Sequence, residues 1–293
     1  MAVSGSSQAI DAGFSASFNL RRRKLTSRLM TSMTTACAVL VIGILLAILL
    51  YIAATGIRQL SIGFLINNPK PVGQPGSGIA NAIVGTFILI AIASVVGLPV
   101  GILAGIYLSE FGHNRIGRVI RFLIDTLTGV PSIVVGVFAW TVMVRPMGHF
   151  SALAGGVALS IIMMPIVART TEEMVKLVPH SLREASLALG APVWRMSLGV
   201  VLRTAAAGVA TGAMLAIARI AGETAPLLFT ALSYNYMSTD INQPIASLTY
   251  QIYYYAQAPY EEWHSMAWAA TLVLVGMILV INVVVVTIVR RRS

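Results

Sequence analysis

Two ionisable residues stand where the surrounding sequence offers them little water. Arg219 lies inside the apolar run 204–222, and Glu223 follows it by four residues. A charge in the hydrocarbon core is costly, at least ~2.5–3.5 kcal/mol for an arginine, so such charges pair with something and usually serve a function. The i, i+4 spacing puts both on one helical face. Two readings follow from the residues. The pair can neutralise itself and fasten the helix to a neighbour. Alternatively, Arg219 offers its planar fork of donors to an oxyanion. Gly222 and Pro226 mark a place where the helix can break, which frees backbone groups at mid-depth.

A second chemistry-bearing stretch is polar, 170–203. Thr170 with Glu173, and Ser181 with Glu184, have the spacing of capping boxes and predict two helix starts. Leu182, Ala185, Ala188 and Leu189 share a face, Gly190 can stop that helix, and Pro192 can start another. The expected product is a bent pair of short amphipathic helices outside the bilayer. Such helices can lie on lipid, or they can meet another protein.

Other chemistry is missing. There is no G-x-x-x-x-G-K-[ST] run, so any ATP is hydrolysed by another chain. The histidines are singles and Cys37 is the only cysteine, so no metal site and no cofactor is expected. Ser132, Ser160 and Thr141 sit on apolar runs and read as helix-packing hydroxyls.

The elements that must position these residues come from composition. Hydrophobic residues make up 57% of the 293, charged residues 10%, and the mean hydropathy is +0.84. A soluble domain carries roughly 25% charged residues, so an ordinary soluble enzyme is excluded, and so is disorder. About 20 apolar residues cross a bilayer as a helix. Six runs qualify: 32–54, 81–107, 122–144, 152–168, 204–222 and 266–289. Gly97, Pro99 and Pro131 are expected kinks. The fold class is an all-α membrane protein of six transmembrane helices.

The net charge of +10 would suit nucleic acid or anionic lipid, but its placement explains it. Sixteen of the twenty Lys and Arg fall before the first run, between the second and third, between the fourth and fifth, and after the sixth. Only Arg58, Lys70 and Arg145 fall on the other side. This asymmetry predicts both termini in the cytoplasm, with no nucleic acid partner. The first run is too long for the core of a cleaved signal peptide. Residues 1–30 read as a disordered, basic cytoplasmic arm, and 31–293 as the membrane domain. Segment 55–80 is a loop by composition, and 223–265 carries tyrosines and Trp263 that suit an interfacial belt or a partly inserted segment.

Glu184-Ala185-Ser186, then Gly190, then Val200-x-Leu202 resembles the EAA loop of ABC-transporter permeases, E-A-A-x3-G-x9-I-x-L-P. The chain departs from it at Ser186, and at Arg203 where the family has proline; the second change puts the family's bend there in question. Three further runs, Ile162-Met-Met-Pro165-Ile-Val-Ala-Arg-Thr-Thr-Glu-Glu, Glu184-Ala-Ser-Leu-Ala-Leu-Gly-Ala-Pro-Val-Trp194 and Arg219-Ile-Ala-Gly-Glu-Thr-Ala-Pro-Leu-Leu-Phe-Thr230, are similar to the PstA-type permease subunits of phosphate importers, over roughly residues 30–290.

That resemblance implies a type I ABC-importer permease fold with cytoplasmic coupling helices. It implies a multi-pass subunit of the cell (inner) membrane, not itself an enzyme, that forms half of an inorganic phosphate pathway. Arg219, Glu223 and Thr224 would line the pathway, and Glu184, Ala185, Ser186 and Gly190 would form the ATPase-coupling loop. The implied partners are a PstC-like sister permease, a PstB-like ATPase dimer, a PstS-like extracytoplasmic phosphate-binding protein, and membrane lipid. The rival readings are a permease for sulfate or molybdate, and an ion-coupled secondary carrier.

Overall fold

The computed structural model describes the backbone of residues 5–290 and the side chains of 22–287. Every regular element among the described residues is a helix. Two units form, residues 1–54 and 55–293. The first is essentially one helix, α1 (Gly5–Gly56). It takes in most of the arm that composition reads as unstructured; residues 1–4 of that arm lie outside the described residues. No proline precedes Pro69, so nothing stops the helix of the apolar run from extending backward. Its stretch Arg22–Gly56 is long and apolar enough to cross a bilayer.

The second unit begins with the short α2 (Ile62–Ile66), capped by the Ser61 hydroxyl. Next come α3 (Ala80–Glu110), α4 (Arg115–Gly129) and α5 (Ser132–Met147, with a π turn at Trp140–Val144). The chain continues through α6 (Ala152–Lys176), α7 (His180–Ala188) and α8 (Val193–Ala221, with a π turn at Ser197–Val201). Short α9 (Ala225–Thr230), α10 (Leu248–Gln257) and α11 (Glu261–Arg290) complete it.

Helices α1, α3, α6, α8 and α11 each contain a stretch able to cross a bilayer; the pair α4 and α5, bent by 105°, makes a sixth if it is counted as one broken span rather than a re-entrant loop. The run 122–144 is therefore not one straight helix. Pro131 forces Val130 into extended backbone (φ −71°, ψ 129°), and α4 alternates Arg118, Arg121 and Asp125 with Ile120, Leu123 and Ile124 in the pattern of a helix lying along an interface. By contrast, Pro99 and Pro165 sit inside unbroken helices.

Helices α3 and α6 form the centre, and close approach is their device. A Cβ on Gly97 would lie 3.0 Å from Met163 Sδ, one on Gly101 2.8 Å from Val167 Cβ, and one on Gly105 2.6 Å from the Ala168 carbonyl oxygen. These glycines at i, i+4, i+8 let the two backbones touch. Leu89, Ala93, Leu159, Met163 and Val167 are fully buried beside this seam.

The start of α6 is held by the last residue of α9 and by segment 231–247. The N–H groups of Ser151, Ala152 and Leu153 donate to the carbonyls of Thr230, Gln243 and Ile241 at 2.8–3.0 Å. Those N–H groups have no partner within the helix. Asn81 in turn donates to the Tyr234 carbonyl at 2.6 Å. At this end Trp263 packs on Tyr254, Tyr255 and Tyr260 with ring centres 5.0–5.5 Å apart.

Candidate functional site

Helix α8 stops at Ala221, and Gly222 donates back to the Arg219 carbonyl at 3.2 Å. The chain restarts at α9, where Pro226 fits the first turn because its missing N–H is not needed there. The residues between are Gly222, Glu223 and Thr224, at the break the glycine and proline predict. Arg219 and Glu223 pair at 3.3 Å, with 61% of the arginine side chain uncovered and 15% of the glutamate. Thr249 Oγ1 donates to the Glu223 carbonyl at 3.0 Å and fixes the turn. Thr224 is the residue before α9, and its side chain makes no capping bond.

Arg219 lines a cavity of about 370 Å3 with Thr128, Val130 and Ser132 at the α4–α5 break, and with Ile161, Ile162 and Ile166. Those isoleucines lie in the middle of α6, so the last turn of α8 faces the centre of that helix. The volume corresponds to roughly ten waters. Thr128 donates its hydroxyl proton to Ile124, which leaves its oxygen able to accept. The cavity is therefore apolar on one side and carries a cation and two hydroxyls on the other. Such a wall can hold an oxyanion through the guanidinium. Sequence reasoning had Ser132 as a packing hydroxyl and passed over Thr128; the Gly129-Val130-Pro131 stretch is the signal that marks this corner.

The polar stretch folds differently from the expected double start. Thr170 is interior to α6, and its hydroxyl donates back to Ile166. Helix α7 begins at His180, behind Pro179, so Ser181 does not cap it. The second short helix is the first turn of the long α8, entered at Pro192. At Arg203, where the family pattern has proline, α8 runs on unbroken; the π turn sits just before it.

The stop at Gly190 is as expected. Gly190 has φ +80°, its N–H donates to Leu187, and the Ala191 N–H donates to Ser186. This pair of bonds is a Schellman motif, which needs a left-handed residue at that place. Glu184, Ala185 and Gly190 are exposed, whereas Ser186 is buried. Leu189 and Trp194 are exposed beside them, with Arg195 5.3 Å from the indole ring. Together they form an outward face carrying one acid and several large apolar groups.

A larger cavity, about 570 Å3, lies at the end of the bundle that carries segment 231–247, lined by Lys70, Tyr236, Tyr250, Gln251, Tyr254 and Trp263. Burial raises the Tyr250 and Tyr255 phenols above their usual range, and neighbouring tyrosines add to this. Both remain proton donors at any physiological pH.

Comparison with known proteins identifies the architecture. Residues 97–293 match the model of the binding-protein-dependent transport system inner membrane component family. The chain is 46% identical over 266 residues to the phosphate transport system permease protein PstA of Yersinia pestis, covering 90% of this chain and 89% of that one. It is 42% identical to the probable PstA of Methanocaldococcus jannaschii over 70% of this chain and 74% of the relative. Among solved structures, a chain of the inward-facing MetNI methionine ABC transporter superposes with a TM-score of 0.58 at 22% identity, covering 74% of this chain and 94% of that one. That likeness concerns the fold. On the extent of the sequence match, the chain belongs to the PstA family of phosphate transport system permease proteins, within the binding-protein-dependent inner membrane components.

Proposed function

We infer that this chain is the permease subunit of an ATP-driven phosphate importer, with its share of the pathway at the Arg219–Glu223 break. The observation that carries the reading is the 46% identity to a phosphate transport permease over nine-tenths of both chains, together with a broken helix that presents an arginine to a mid-bundle cavity. Residues 31–293 form the membrane domain. Both termini lie in the cytoplasm, and the loop 170–203 faces the same side.

In this reading the chain hydrolyses nothing itself. A PstB-like ATPase dimer docks on the α7 face, where Glu184, Ala185 and Gly190 meet it and Ser186 seats the helix from behind. A PstC-like sister permease supplies the other half of the pathway, and a PstS-like binding protein delivers phosphate from outside. When the ATPases close, α7 moves and the pathway opens alternately to each side. Arg219 attracts the anion to the broken region. Glu223 accepts a hydrogen bond from a P–OH group, and Thr224 offers its hydroxyl beside it. Phosphate near neutral pH keeps at least one proton, so the acid can accept from it, whereas it repels a fully deprotonated oxyanion.

The test is phosphate uptake by vesicles containing the purified four-component complex, with the binding protein saturated. ATP-dependent accumulation of phosphate and not of sulfate is the expected result. Uptake that persists without the ATPase subunit would point to a secondary carrier and end this reading.

A further inference from the structure

Only ten acidic residues occur in the chain, and two of them are buried at the cytoplasm-facing ends of the central pair. Glu110 is the last residue of α3, with 7% of its side chain uncovered. Glu172 lies in the last turns of α6, with 1% uncovered. Carboxylates buried this deeply must be paired.

The partners come from the two short amphipathic helices, and they cross. Arg183 of α7 pairs with Glu110 of α3 at 2.9 Å, and it also donates to the carbonyls of Val175 and Val178 at the end of α6. Arg121 of α4 does the reverse. It pairs with Glu172 of α6 at 2.8 Å and donates to the carbonyls of Leu108 and Gly112 at the end of α3, at 2.6 and 2.9 Å. Each arginine therefore binds carbonyls at the end of one central helix while gripping the acid of the other. Lys176 adds a second donor to Glu172 at 2.6 Å. A lysine cannot substitute for either arginine, because one ammonium has no fork that reaches an acid and two carbonyls together.

The consequence lies in what these helices touch. Arg183 neighbours Glu184 and Ala185 on α7, the exposed face of the coupling loop. Helices α3 and α6 are locked to each other by Gly97, Gly101 and Gly105, so a displacement at their ends moves them together. Helix α4 ends at the Pro131 break, which lines the Arg219 cavity. We propose that the crossed clamp Arg183–Glu110 and Arg121–Glu172 transmits movement of α7 to the α3–α6 pair and to the α4–α5 corner at the cavity. Its four members are positioning residues, touching neither phosphate nor ATP. This rests on the reading of α7 as the ATPase-docking helix.

The experiment uses the complete importer in lipid vesicles, with Arg183→Gln, Arg183→Lys, Glu110→Gln and Arg121→Gln. Three quantities are read for each: recovery of the permease with the tagged ATPase subunit, ATP hydrolysed, and phosphate taken up per ATP. The clamp predicts complexes that assemble and hydrolyse ATP but move at least tenfold less phosphate per ATP. It also predicts that Arg183→Lys fails to restore the ratio, although it keeps the charge.

Three results overturn the proposal: a wild-type ratio in Arg183→Lys, a parallel fall of uptake and hydrolysis with the ratio unchanged, or loss of assembly in all four variants. Glu184→Arg separates this from failure of the underlying reading. If that exposed substitution leaves ATPase recovery untouched, α7 is not the docking helix. If recovery falls while the Arg183→Lys ratio stays normal, docking stands and the clamp alone is wrong.

Discussion

Replacing Arg219 by glutamine separates a transport role from a structural one, because the two predict effects of different size. As a structural pair, Arg219 and Glu223 are weak. Their separation is 3.3 Å, the arginine is 61% uncovered, and the acid lies in the break beyond the end of α8, where no helix holds the two in register. An ion pair with one well-exposed partner contributes about 0.2–1 kcal/mol, too little to change assembly noticeably. As an anion ligand, the guanidinium is worth more. A hydrogen bond to a charged group contributes about 1.5–3 kcal/mol, which at about 1.4 kcal/mol per decade is roughly a 10- to 100-fold loss of uptake. Arg219→Gln should therefore give normal complex yield and uptake lower by one to two orders of magnitude, measured with a saturated binding protein. Glu223→Gln should lose less and should weaken discrimination against sulfate. One further effect needs a control, since the glutamine variant leaves Glu223 unpaired, and its charge would repel phosphate. The double variant removes that charge. Uptake restored to the wild-type level in the double variant would mean the arginine only masks Glu223. Normal uptake in Arg219→Gln would take the residue off the path, and loss of the complex would make it structural.

Four other outcomes can be measured. Gly190 is at φ +80° with open space where a Cβ would stand, so Gly190→Ala should cost about 1 kcal/mol of local conformational energy and keep most uptake. Gly190→Arg should insert normally, yet lose ATPase recovery and uptake. Single cysteines at Gln74 and Asn235, both exposed, should react with an impermeant thiol reagent from outside in a Cys37→Ser background; reaction only after permeabilisation would refute the orientation. Gly101→Val would place side-chain atoms where Val167 already stands. That overpacking should destabilise the detergent-solubilised protein by about 1–3 kcal/mol, seen as a lower thermal midpoint.

The features legible in the sequence were those set by neighbours along the chain. Gly190 ends α7 because only a left-handed residue completes its two closing bonds, and the helix break needs just Gly222 and Pro226 close together. The apolar length of α3 or α11 is likewise local. What escaped depended on residues far away. An apolar run does not distinguish a straight span from a bent one, so 122–144 read as one helix although Pro131 turns it. Thr170 and Ser181 have the capping spacing, but α6 continues through the first and Pro179 starts the helix before the second. The arginines of the crossed clamp counted only as positive charge, because nothing near Arg183 in sequence shows that Glu110, 73 residues earlier, will lie against it. The scarcity of acids was the available hint, since a carboxylate that ends up buried must find a partner.

Two broken helices meet at one cavity, and this is the strongest physical reason to put the pathway there. Irregular backbone at membrane depth survives only where protein buries it or a polar cavity solvates it. Here both conditions appear side by side. Helix α9 is held against α5 so closely that a Cβ on Gly136 would lie 2.6 Å from Pro226 Cα, which buries one face of the break. The other face, with Arg219, opens to the cavity at the α4–α5 corner. An anion pathway accounts for the opening, because a guanidinium that stays charged can pair with a passing anion only where it is uncovered, and must then let that anion go. The 3.3 Å pairing with Glu223 is compatible with the role proposed for the site: between ions the acid would hold Arg219 in place, and an arriving phosphate would compete with it.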